Sequence, residues 1–160
     1  MPSMFKNIFF IIFAAALALI VSLSIVENYG LNLFEKKNES ADKKIIVINN
    51  KKLEVEVADE PQKQFQGLAG RDSLGKNKGM LFVFPQPTSP GFWMKNMKFS
   101  LDLIWIDGHG KIIHISKDIS PDTYPQIISS SSPVKYVLEV NGGWTDRNKI
   151  KIGDIVMSLY

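Results

Sequence analysis

Between Gly79 and Gly110 the chain reads GMLFVFPQPTSPGFWMKNMKFSLDLIWIDGHG. Its apolar runs are each cut short by glycine, proline or a polar turn before they reach the length of an ordinary helix, and short apolar runs so bounded form buried strands. Met80 to Phe84 is one, closed by Gly79 and Pro85, after which Pro87, Pro90 and Gly91 force a loop. Phe92 to Met97 and Leu101 to Ile106 read as two more, joined by a tight connection at Lys98 and Phe99. That pattern predicts a hairpin.

The hairpin register sets Lys95 directly opposite Asp102. Asp102 shares a face with Ile104 and Ile106, so its carboxylate is expected to be partly buried and to need a partner. Lys95 is the expected partner, as a structural ion pair or at a solvated rim. In the functional alternative Lys95, Asn96 and Asp102 line a pocket walled by Phe92, Trp93 and Met94.

Six blocks in order identify a family resemblance: Gly-Leu-Ala-Gly-Arg at 67 to 71, Gly-Met-Leu-Phe-Val-Phe at 79 to 84, Phe-Trp-Met-Lys-Asn at 92 to 96, Leu-Asp-Leu-Ile-Trp-Ile-Asp at 101 to 107, Tyr-Val-Leu-Glu-Val at 136 to 140 and Lys-Ile-Gly-Asp-Ile-Val at 151 to 156. From Lys44 to Leu159 the chain resembles the domain-of-unknown-function family 192. Met97 and Ser100 depart from it, standing where the family usually carries a small polar residue and proline. The resemblance implies a small β-sandwich or jelly-roll-like domain, often exported, and brings no established reaction.

The 160 residues fit one domain plus an appendage. With no cysteine, disulfides, thiolate metal sites and a cysteine nucleophile are excluded. The 19 basic and 16 acidic residues are interleaved without a basic stripe, so nucleic acid is not an expected partner. His109 and His114 are the two histidines and lie across a turn; zinc normally takes three or four ligands, so neither a metal nor a cofactor is expected.

Ile8 to Val26 is apolar apart from Ser22 and Ser24, and nineteen residues nearly span a hydrocarbon core of ~30 Å. The run exceeds the ordinary signal-peptide core and has no polar face, so residues 1–27 read as an uncleaved signal anchor, with a cleaved signal peptide and a secreted product as the alternative. Residues 28–43 are a polar tether, and residues 44–160 form the domain. The domain is thereby expected to be membrane-anchored and extracytoplasmic, periplasmic or at the cell surface.

Within the domain, Leu53, Val55 and Val57 alternate with Glu54 and Glu56, a strand with one wet face. Asp59, Pro61 and Gln62 predict a short helix to about Gln66, stopped by Gly67 and docked through Phe65 and Leu68. Arg71 presents a planar fork to a carboxylate or phosphate, with Asp72, Asp102 and Glu139 as internal partners or a ligand outside. Pro121 to Pro133 is a long irregular stretch able to cover a pocket. Glu139 interrupts the apolar strand Val134 to Val140, so either its face is open to solvent or it meets Lys95 or Arg71. Thr145 is expected to cap a helical turn after Gly143.

The expected fold is all-β with about eight strands and one or two short helices, an antiparallel sandwich, jelly-roll-like, or a partly closed barrel. Arg71, Phe92, Trp93, Met94, Lys95, Asn96, Asp102 and Glu139 are the candidate ligand-binding residues; catalytic residues are not assigned. Three functions fit: a membrane-tethered envelope domain binding a small molecule, glycan or protein; a hydrolase or lyase of envelope polymers using Asp102 and Glu139 as paired carboxylates; or a structural protein without a ligand.

Overall fold

The computed structural model describes residues 43–159 and Ile25. The anchor and tether expected in residues 1–43 lie outside the described residues except for Ile25 and Lys43, and no helix among the described residues is long and apolar enough to cross a membrane.

The chain forms β1 (Lys43–Ile48), β2 (Lys51–Ala58), α1 (Pro61–Gln66), β3 (Lys78–Thr88), β4 (Leu101–Ile106), β5 (Ile112–Ile119), a 3-10 turn (Pro121–Thr123), β6 (Val134–Asn141), α2 (Trp144–Arg147) and β7 (Val156–Met157). The strands form one sheet in the order β5-β4-β6-β3-β2-β1-β7. The fold is all-β, a seven-stranded curled sheet making a half-barrel, and not the two-sheet sandwich among the expectations. Its two edges meet at one end, where Val156 N–H donates to the Gly110 carbonyl (2.8 Å) and Ile112 N–H to that of Asp154 (2.9 Å). Every pairing is antiparallel except β2 with β3. A parallel pair needs a crossover, and α1 with residues 67–77 supplies it.

Both faces of the sheet are buried at its centre, while the outer face of β1 and β2 stays partly solvated. Ile46, Leu53, Val55, Leu81, Ile104, Ile106, Leu138 and Val140 fill the inside of the curl. Met80, Phe82, Leu101, Leu103, Trp105 and Val137 fill the outer face, under Leu68, Met94 and, from residues 89–100 and 124–133, Phe92, Phe99 and Ile128. All six residues of β4 are buried in consequence.

The predicted hairpin does not form. Residues 92–97 contribute a single bridge, Phe92 to Ile128, and then turn at Lys95 and Asn96, where Asn96 takes φ +59°. β4 pairs instead with β5 and β6. The proline-rich stretch thus returns as a cover over the outer face, so Lys95 does not face Asp102 across a hairpin. Asp102 is fully buried on the inner face and accepts from Asp118 N–H (2.8 Å), Gly143 N–H (2.9 Å), Thr145 N–H (2.8 Å) and the Thr145 hydroxyl (2.7 Å). Thr145 is therefore not the cap of α2; Asp102 satisfies the start of that turn from a neighbouring strand.

Asp102→Ala leaves these donors buried without an acceptor, and is expected to cost about 3 to 5 kcal/mol in urea unfolding. Lys95→Ala, at an exposed turn, is expected to stay within about 0.5 kcal/mol of the parent. Comparable, non-additive losses from the two changes would restore the Lys95–Asp102 pair.

Candidate functional site

Strand alternation decides which candidates meet. On β6, Tyr136, Leu138 and Val140 point inward, so Glu139 points to the outer face with Val137. On β4 the inward residues are Asp102, Ile104 and Ile106, and the partner opposite Glu139 is Leu103. Asp102 and Glu139 therefore lie on opposite faces of a sheet buried on both sides. The paired-carboxylate arrangement for polymer cleavage is absent for that reason.

Glu139 stands at the floor of a cavity of about 250 Å³ on the outer face. One wall is the end of α1 and the turn after it, with Phe65, Gly67 and Leu68; another is Phe82 and Phe84 of β3; the third is the cover, with Phe92, Trp93 and Lys95. Gly67 ends α1 in a backbone conformation with φ +51°, which a side chain rarely adopts, and its α-carbon faces the Phe82 ring and Glu139 Oε2. Edge-on rings brace the cavity from behind, Phe82 on Phe92 at 4.9 Å and Phe92 on Trp105 at 5.5 Å.

At the mouth the rings are open to solvent. Phe65 is 76% exposed and Trp93 43%. The helix docks through Leu68, as expected, whereas Phe65 meets Trp93 edge-on at 6.4 Å, and Tyr124 flanks Trp93 on its other side. The Lys95 ammonium sits 5.7 Å from the Trp93 ring centroid, a cation–π contact. The stretch 121–133 thus meets the Trp93 ring through Tyr124 and ties itself to the cover by the Phe92–Ile128 bridge.

The amides of the two wall glutamines donate to backbone carbonyls. Gln64 donates to the carbonyls of Ala58 (3.2 Å) and Val83 (2.9 Å), and Gln66 to that of Ala69 (3.1 Å). Glu139 Oε2, by contrast, is enclosed and has no hydrogen-bond partner among the described residues. Burial pushes the Glu139 carboxyl up from its ordinary 4.5 to about 8, against a smaller downward pull from the Arg71 charge.

The carboxylate that Arg71 forks is Glu56, an acid not among the three expected from the sequence. Its guanidinium grips Glu56 in two parallel bonds, Nη1 to Oε1 at 2.5 Å and Nη2 to Oε2 at 2.8 Å. Glu56, Met80 and Glu139 form one cross-strand row, so Arg71 bridges the crossover to the edge of the site. The fork bond to Arg71 holds the Glu56 carboxyl below its ordinary value. Met94 is a core residue behind the cover, and Asn96 lines a shallower neighbouring hollow with Phe65 and Trp93. Of the eight candidates, Phe92, Trp93, Lys95 and Glu139 share one pocket, while Asp102 does not belong there. Phe65, Phe82, Phe84 and Glu56 were not among the candidates. Phe65 carried a misleading local signal, that of an apolar docking residue, whereas Glu56 holds the half-exposed strand position its alternation predicts.

The two perturbed acids act on stability with opposite sign. Glu56 has a lowered folded value, so its contribution is present above pH 4.5 and is lost as pH falls through the folded value. Glu139 keeps its proton in the folded state after the unfolded chain has released it, so stability declines from about pH 4.5 to about 8, by up to about 1.4 kcal/mol per pH unit. Stability is expected to peak in mild acid. Glu139→Gln should flatten the decline on the alkaline side and leave the acid limb; unfolding profiles of equal slope in the two proteins would show that Glu139 titrates normally.

The DUF192 family model, described as "Uncharacterized ACR", matches residues 44–158. Among solved structures, a putative transcription regulator from Sinorhizobium meliloti 1021 is similar at 34% identity with a TM-score of 0.68, over 71% of this chain and 92% of that one. A protein of unknown function from Novosphingobium aromaticivorans DSM 12444 is similar at 29% identity with the same TM-score, over 71% of this chain and 84% of its own. No curated protein matches. The family match covers most of the chain, including every strand of the half-barrel, and the chain belongs to the DUF192 family.

Proposed function

We propose that the protein is a binding module, held at a membrane by residues 8–26 with its domain on the extracytoplasmic side, and that the Glu139 pocket takes a small organic ligand. One observation carries the binding claim: an enclosed, unpartnered carboxyl oxygen stands at the floor of a cavity walled by aromatic rings. A purely structural role gives no reason to keep such a group, since a buried polar atom without a partner costs about 1 to 3 kcal/mol. Perturbed acids in clefts concentrate at functional sites. The half-exposed Trp93 and open Phe65 offer flat apolar faces to an entering ring, and the cavity suits one small ring system more than a polymer.

The word "regulator" attached to the Sinorhizobium relative would ask for a basic face. Here the basic and acidic residues are interleaved along the sequence, and Lys78, Lys98 and Lys117 are each paired with an acid, Glu54, Asp72 and Asp146.

Screening a fragment library by the indole N–H signals of the three tryptophans is expected to give hits that move the Trp93 signal and are lost in Trp93→Ala, while that variant keeps its unfolding midpoint. Hits that move only Trp105 or Trp144, or that survive Trp93→Ala, would move the site elsewhere. In cells the full chain is expected to stay with membranes through an alkaline carbonate wash and to leave them when residues 1–27 are removed. Release of the full chain by the wash would contradict the tether.

A further inference from the structure

We propose that the pocket's ligand is uncharged and presents an amide-like edge, a hydrogen-bond donor beside an acceptor, to the Glu139 carboxyl. This deepens the pocket reading above and rests on it.

The polar end of any ligand that reaches the floor is met by Glu139: Gln64 spends both amide donors on backbone carbonyls, and Gln66, at the exposed end of α1, gives one of its two to Ala69. Around that carboxyl the neighbours across the strands are apolar, Met80 from β3 and Leu103 from β4. The charged groups facing this region are Arg71 from the crossover, Glu56 of β2 that Arg71 grips, and Lys95 from the cover. A cationic ligand would pass the Lys95 ammonium at the mouth and approach the Arg71 charge. An anionic one would set its charge against an acid on an apolar floor. Either brings a charge out of water into a site with little to replace its hydration.

An uncharged ligand avoids both costs, and the floor has a matching partner. A carboxyl that keeps its proton places a donor and an acceptor on adjacent oxygens, and burial here favours the protonated form. The complement is a group with the same pair reversed, as in a primary amide or a lactam. Once the floor side chains part over the enclosed carboxyl, two parallel bonds would satisfy Oε2 and align the rest of the molecule between Phe65, Phe92 and Trp93.

The test uses three probes of one shape and three charges, benzamide, benzamidine and benzoate, titrated into the full chain while the Trp93 indole signal is followed. Benzamide is expected to bind best at pH 6.5, to weaken as pH rises past about 8, and to lose about tenfold or more in affinity in Glu139→Ala. Glu139→Gln, which keeps a donor and an acceptor, should retain binding within a few-fold and abolish its pH dependence. That variant carries the test should Glu139→Ala not fold. Benzamidine binding best, and more tightly as pH rises, would overturn the proposal in favour of a cation site. Benzoate binding best would overturn it in favour of Lys95. Silence from all three probes beside a Trp93-dependent hit from the fragment screen would overturn the amide edge and leave the pocket standing; silence from both would remove the two readings together.

Discussion

At the centre of this sheet, buried on both faces, a strand has no wet side on which to place an acid. Every other feature of this domain follows from how that constraint is met. β4 and β6 lie side by side near the middle of the sheet, and each carries one carboxyl in an otherwise apolar run. Alternation sends the two to opposite faces. On the inner face Asp102 collects four donors and fastens the segment after β6 to β4 and β5. On the outer face Glu139 is enclosed by the crossover and the cover but receives no such set of donors at Oε2. One acid is therefore consumed by the fold and the other is left over.

The cover explains the aromatic character of the site. Pro90 and Gly91, just beyond β3, turn the chain back across the outer face, where Phe92 wedges between Phe82 and Trp105 and leaves Trp93 facing solvent. The crossover demanded by the one parallel pair brings α1 and Gly67 to the other side of the same hollow. Its return path also carries Arg71 onto Glu56, which fixes the turn beside the pocket and supplies the positive charge that Glu139 senses. Local chain reversals thus build the pocket, and the sheet supplies its floor.

The strands were legible because their signals are local. Alternation at Leu53, Val55 and Val57 and the bounded run from Met80 foretold β2 and β3, and β4 and β6 fell where apolar runs lay between turn residues. Pairing was less legible, because it depends on partners distant in the chain. Phe92 to Met97 carries strand composition but is spent on a cover, and the hairpin inferred from it put Lys95 beside Asp102. The same error made Asp102 a pocket residue. Glu139 could be singled out from sequence as an acid in an apolar run, but its face relative to Asp102 follows only from the β4–β6 register. Glu56 is the half-solvated position its alternation predicts, but nothing in local spacing announces that a residue fifteen places on returns to grip it.

The central claim is that Glu139 holds a proton at neutral pH inside an aromatic pocket. The direct measurement is the carbon-13 titration of its side-chain carboxyl, followed by NMR from pH 3 to 10 and assigned by its disappearance in Glu139→Gln. A midpoint near 8 is predicted. A midpoint near the ordinary 4.5 would mean that water or an ion pair reaches the carboxyl, and that the pocket does not bury its acid.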